Sequence, residues 1–152
     1  MTRADARELA VHLIYAQGFT GEEPEQVIAT RLDKPYYQIL SQDNEIYAQR
    51  PSRQQLQYLD TVVSGVCNRL DELNEVIGRL SIGWDVSRIS RLTRAIMQLA
   101  IFEIQNVEDV PTGVAISEAV RIARKYDGED SRAFVNGILG SFARSLAPEE
   151  PK

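Results

Sequence analysis

The sequence is short of the residues that most enzyme chemistry needs. It has one cysteine, Cys67, and one histidine, His12. A lone cysteine excludes an intramolecular disulfide framework and suits a reducing compartment. Two such residues cannot supply the clustered ligands of a zinc site. There is no glycine-rich phosphate loop and no Gly-x-Ser-x-Gly elbow. No apolar run approaches the roughly 18 residues of a membrane span. The N-terminus, MTRADARELAVHL, interleaves charges with apolar residues, unlike a signal peptide. These absences read as a cytoplasmic protein with no metal, no cofactor and no membrane segment. Acidic pairs such as Asp71-Glu72 and Glu149-Glu150 fall on polar faces or in the tail, where nothing would separate their pKa values for acid–base work. His12 sits at the margin of an apolar helical face, as a packed or surface histidine does. Cys67, within VVSGVC, reads as a small core residue. No enzymatic activity is expected.

What is present suits a soluble helical protein. At 152 residues the chain fits one domain, or two small halves sharing a core, and its 43% apolar content is enough to build one. The net charge of −5 argues at first against a nucleic-acid partner. Residues 20–76, however, hold ten acids against five bases and so carry that whole charge, while residues 77–146 hold nine bases and eight acids. A local basic patch is compatible with the acidic total.

Apolar periodicity predicts helices throughout. Thr2 caps a first helix from about Arg3 to Gln17, with Gly18 as its stop. Pro24 takes the first position of PEQVIATRL, and Pro35 ends that helix. YYQILSQDNEIYAQR gives a further short helix. Ser52 opens the longest one, with Leu56, Leu59, Val63, Val66, Leu70, Leu73 and Ile77 stepping along it. SIGWDVS interrupts at Gly83. A strongly apolar helix follows from about Ser87 to Gln105, and after Pro111 another runs from Thr112 to Tyr126, with Gly128 just past its end.

The stretch YDGEDSRAFVNGILG could be a hairpin turning at Asn136-Gly137 or a helix containing glycines. A hairpin needs period-2 alternation on both sides of the turn. Phe134, Val135, Ile138, Leu139 and Phe142 recur instead at helical spacing, with Ser131 as N-cap and Asp130 beside it at the positive end of the dipole. Gly137 and Gly140 then lie where another helix could approach closely, offsetting a cost of about 1 kcal/mol each. Roughly six or seven helices and no convincing strand make this an all-α chain.

Two surface stripes stand out. On the first helix Arg3, Arg7, Val11 and Tyr15 follow at i, i+4 spacing beside the core face, so guanidinium groups could meet phosphates and a phenol ring a base. A plain solvated stripe, its tyrosine tucked against a neighbour, has the same spacing. Arg88, Arg91 and Arg94 form a second stripe at i+3 spacing, suited to RNA, to an acidic protein surface or simply to solvent.

Three stretches together resemble the NusB family of bacterial transcription antitermination factors. They are ARELAVHLIYAQ, then ISRLTRAIMQLAIFEIQNVEDVPTGVAISEAVRIARKY, then DSRAFVNGILGSFA. The resemblance covers the C-terminal half almost without gaps, whereas residues 20–55 match nothing in it. It implies two small helical subdomains packed into one domain, about 1–80 and about 81–146, with a frayed tail at 147–152. It implies no catalysis. It implies binding to the boxA RNA of ribosomal RNA leaders jointly with NusE, a ribosomal protein, in a transcription elongation complex whose polymerase then passes terminators. Carried over by position, the arginine-rich N-terminal motif falls on Arg3 and Arg7 and the following tyrosine on Tyr15. The RNA-facing acid and aromatic of the last helix fall on Asp130 and Phe134. Arg91 and Arg94 become the expected NusE-facing residues. The family motif carries several adjacent arginines, and here Ala4 and Asp5 stand among the few that remain, which implies weaker RNA binding without the partner.

Two other readings share these features. One is a protein-interaction module, since some family members are dimers and a homodimer interface could cover the first-helix stripe. The other is a piece of a ribosomal RNA-modifying enzyme, in some of which this helical domain precedes a methyltransferase domain. The chain closes on RSLAPEEPK with no cofactor-binding domain after it, which disfavours that reading.

Overall fold

A computed structural model describes residues 1–84 and 89–146. Among these the chain forms eight α-helices and one 3-10 turn, with no strand: α1 (Arg3–Thr20), α2 (Pro24–Arg31), α3 (Lys34–Leu40), the 3-10 turn (Glu45–Ala48), α4 (Arg53–Asn68), α5 (Leu70–Leu80), α6 (Arg91–Asn106), α7 (Thr112–Asp127) and α8 (Glu129–Leu146). The all-α expectation holds. Two units divide the chain, Met1–Arg69 and Leu70 onward.

In the first unit α1 packs on α4, α2 and the 3-10 turn. Thr2 closes a capping box: its hydroxyl accepts the Asp5 N–H at 3.0 Å, and the Asp5 carboxylate accepts the Thr2 N–H. The helix runs through Gly18, the expected stop, and ends at Gly21, whose φ of +67° supplies the left-handed residue that such an ending requires. Leu9 and Leu13 of α1 and Leu59, Val62 and Val63 of α4 are fully buried. Pro35 does not end the second helix. α2 stops at Arg31, and Pro35 lies in the first turn of α3, where its missing N–H is no loss.

Residues 34–50 are held by aromatic and polar contacts. The Tyr37 hydroxyl donates to Gln49 O at 2.6 Å, and its ring meets Tyr47 edge-on at 5.0 Å. Burial pushes the Tyr37 phenol up to about 12. Arg50 donates to Leu32 O at 2.7 Å. His12 Nδ1 lies 2.8 Å from the Tyr47 hydroxyl with the two rings stacked, so this histidine is packed into the fold. Cys67 is half-buried, and burial raises its thiol to about 11.

The longest expected helix is two. At Arg69 the backbone (φ −125°, ψ 22°) leaves helical geometry, ending α4 at Asn68. The two compact units adjoin in sequence at Arg69–Leu70, and α5 packs within the second of them, against α6 and α8. Leu56, expected in the core, is exposed.

In the second unit α6 is the central helix: Ala95 through Glu103 are all buried. Gln98 donates to Asn74 of α5 at 2.8 Å, satisfying a buried amide. The cap of α6 is Ser90, whose hydroxyl accepts the Thr93 N–H at 3.0 Å; the expected start at Ser87 lies outside the described residues. Gly128 (φ +89°) joins α7 to α8 so tightly that α8 begins at Glu129. Ser131, the expected cap, is thus already inside the first turn. The Asn136-Gly137 stretch is helix, as its apolar spacing required. What comes close to Gly137 is a side chain rather than a helix: a Cβ there would stand 3.2 Å from Trp84 Cζ2, while one at Gly140 would meet only the end of Arg144. The expected tail at 147–152 lies outside the described residues. No described helix is long and apolar enough to cross a membrane.

Candidate nucleic-acid interface

On α1, Arg3 is exposed in the first turn and Tyr15 is half-buried three turns on. The continuous stripe expected between them does not form at the surface. Arg7 is only 6% exposed and Val11 fully buried, because α1 is covered without a gap from Ala6 to Val11. Spacing of i, i+4 fixes a line on the helix but not the width of the covered arc. The aromatic the sequence reading missed is Phe19, exposed and edge-on to Tyr15 at 4.9 Å.

At the start of α8 the geometry is more built. Asp127 Oδ2 accepts three hydroxyls: Ser90 at 2.6 Å, Thr93 at 2.6 Å and Ser131 at 2.9 Å. One carboxylate oxygen therefore ties the start of α6, the end of α7 and the first turn of α8. Burial pushes its pKa upward, but the hydrogen bonds together win and hold the group below its ordinary value. Glu129 takes Arg124 Nε at 2.9 Å and Arg132 Nε at 2.6 Å, and the Arg132 hydrogen bond leads in lowering its pKa.

This node sets the position of Asp130 and Phe134. Asp130 is exposed. Phe134 is 6% exposed, and its ring meets Trp84 edge-on at 5.0 Å and 83°, so burial decides its surroundings and it offers no open face to a base. Trp84, 44% exposed, is the aromatic that reaches solvent there. A turn places it: the Trp84 N–H donates to Ser81 O at 2.9 Å, with Gly83 at a φ of +90°. Only the Gly83 breaker was visible in sequence.

On α6, Arg91 is exposed and Arg94 half-buried, with buried Thr93 between them; Arg88 lies outside the described residues. A further basic surface had been missed. Arg121, Arg124 and Lys125 of α7 and Arg132 of α8 line an open groove with Ser117 and Val120. The i+3 and i+4 spacing of the three α7 bases was the available signal. Arg121 pairs within its own helix with Glu118 at 2.8 Å. Among the described residues no group of three or more His, Cys, Asp or Glu side chains could hold a metal ion.

These features define an all-helical binding protein, with arginines and aromatics presented from helix ends. Comparison with known proteins makes the class specific. The NusB family profile matches residues 4–144, and the chain belongs to that family. It is 37% identical to the transcription antitermination protein NusB of Acetivibrio thermocellus, over 95% of this chain and 90% of that protein. The solved NusB of T. maritima superposes with a TM-score of 0.76 at 28% identity, covering 99% and 96% of the two chains. A structure of the antitermination factors NusB and NusE with double-stranded RNA has a NusB-like chain at TM-score 0.71 and 19% identity, covering 94% and 96%, a likeness of fold.

Proposed function

We propose that this protein is a non-enzymatic, cytoplasmic RNA-binding antitermination factor, engaging boxA RNA of ribosomal RNA leaders together with NusE. In this reading it joins the transcription elongation complex and helps polymerase read through terminators. The observation that carries it is family membership over nearly the whole chain, with a relative named for transcription antitermination at 37% identity. The solved neighbour that holds NusE and double-stranded RNA supports the same partners.

Arg3 is the phosphate contact of α1, and Tyr15, with Phe19 beside it, the aromatic one. Asp130 offers its carboxylate from the first turn of α8. Arg7 and Phe134 act from beneath the surface, holding neighbours rather than touching RNA. Arg91 and Arg94 face NusE. The test is binding of labelled boxA RNA, against a scrambled sequence, with and without NusE. A sequence preference that strengthens with NusE supports the reading; its absence in both conditions removes it. The second reading, a homodimer whose interface covers α1, is favoured only by exposed Phe19 and is tested by light scattering with and without RNA.

A further inference from the structure

We infer that the solvent-facing side of α7, with Arg132 of α8, is a docking surface for an acidic amphipathic helix of a partner protein. This surface goes beyond the RNA-binding reading, since it uses none of the residues assigned to RNA or to NusE.

α7 buries Ala115, Ala119, Ile122 and Ala123 in the second unit, where it packs on α6 and α8. Its opposite face reads Val114, Ser117, Arg121, then Arg124 and Lys125, at steps of three and four residues. The apolar end of this stripe is open, with Val114 44% exposed. The basic end forms part of the open groove that Val120 and Arg132 also line. The arginines of the groove already hold carboxylates. Glu129 takes Arg124 at 2.9 Å and Arg132 at 2.6 Å, through Nε of each. That leaves the Nη amino groups of both for a further acceptor. Glu118 takes Arg121 through Nε at 2.8 Å and Nη2 at 3.3 Å, a two-point grip. Asp127, the last residue of α7, is engaged by the hydroxyls of Ser90, Thr93 and Ser131. Four bases against Glu118 and Glu129 leave the groove positive on a chain of net charge −5. Arg124 and Glu129 are both exposed, and ion pairs in water contribute little, so an incoming carboxylate exchanges with Glu129 at small cost.

The mix of groups favours protein over nucleic acid. A phosphate backbone needs cations, and the valines at positions 114 and 120 add nothing to its binding. The residues that line the groove include no aromatic ring on which a base would stack. An amphipathic helix uses the whole stripe. An apolar side chain covers Val114, and carboxylates two and three turns further on meet Arg121, Arg124 and Lys125. Guanidinium forks match planar carboxylates, as the Glu118 pair already does. From Val114 to Lys125 the stripe runs about 16 Å, or three turns of a partner helix. A contact of that size is a weak, reversible one.

The probe is a fluorescein-labelled helical peptide with glutamates at i, i+3 and i+4 spacing and a leucine at one end of the same face. Its controls are the same peptide with every glutamate replaced by glutamine, and a single-stranded polyuridine RNA. Anisotropy is followed with the full-length protein at low and raised salt, and amide NMR shifts locate the contact. The expected result is saturable binding of the acidic peptide that weakens as salt rises. The largest shifts should fall on α7 between Val114 and Lys125. The glutamine peptide should bind the parent protein on the order of 10-fold more weakly, and the acidic peptide should lose as much with the double variant Arg121→Glu, Lys125→Glu, where like charges then meet. Val114→Ser should weaken binding about 3-fold. These variants should hold their boxA affinity within about 3-fold, because that contact lies elsewhere. Thermal melts confirm folding, and Lys125→Glu alone, at an exposed position, keeps the test valid if the double variant unfolds. No binding of the acidic peptide, or equal binding of its glutamine form, overturns the inference and leaves the RNA-binding reading standing on its own boxA measurement. Polyuridine that displaces the acidic peptide, or a loss of boxA affinity in Lys125→Glu matching its loss of peptide affinity, assigns the groove to RNA and likewise overturns it.

Discussion

Thr93 and Asp127 stand 34 residues apart in the chain, yet the Thr93 hydroxyl donates to Asp127 Oδ2 at 2.6 Å. With Ser90 and Ser131 on the same oxygen, this contact fixes where α8 begins relative to α6 and α7. Everything the start of α8 presents, Asp130 first, depends on that node.

Asp127 is itself exposed, so solvent screening discounts these hydrogen bonds, and Asp127→Ala should destabilise the protein by about 0.5–1.5 kcal/mol. The pH dependence has a definite sign. The folded-state pKa lies below the ordinary 3.8, so the contribution is complete above that value and is lost as pH falls through the lowered one. Thermal melts between neutral and strongly acid pH should show the parent losing more stability in that window than Asp127→Asn. Equal losses would remove the carboxylate from this role.

Arg3 and Arg7 should behave as different residues. Arg3→Ala, at an exposed position, should leave stability within about 0.5 kcal/mol and reduce the salt slope of RNA binding by about 1. Arg7→Ala removes a buried side chain and should cost roughly 1–3 kcal/mol of stability. Melts and salt-dependent binding of both variants check this; matching melts would contradict the burial of Arg7.

Tyr15→Ala should lose about 1–3 kcal/mol of RNA binding if its ring, set against Phe19, stacks on a base. Circular dichroism confirms the fold, and undiminished binding by a folded variant would take Tyr15 out of the interface.

Cys67 should react slowly. Burial raises its thiol to about 11, so little thiolate exists near neutral pH. A thiol reagent at mildly alkaline pH should label the folded protein far more slowly than the unfolded chain. Equal rates would show the thiol to be open.

Local signals were legible in the sequence because they act locally. Thr2 and Ser52 cap helices, Pro24 starts one, and Gly128 separates α7 from α8 as their chemistry requires. The helical spacing of Phe134 to Phe142 settled the Asn136-Gly137 ambiguity for the same reason. The break at Arg69 was not legible, since the apolar period from Leu56 to Ile77 continues across it and no glycine or proline marks it. The burial of Arg7 was not legible either, because burial depends on what covers a helix, which spacing along that helix does not record. Trp84 was passed over because its approach to Phe134 and Gly137 exists only once the turn at Gly83 has formed.

The most direct measurement of the central claim is the affinity for boxA RNA and for a scrambled RNA, with and without purified NusE, across a salt series. The account predicts a preference for boxA that grows when NusE is added, and a shallow salt dependence for the protein alone, given its few N-terminal arginines. Equal binding of the two RNAs in both conditions, with NusE bound normally, would contradict it and leave a helical protein-interaction module.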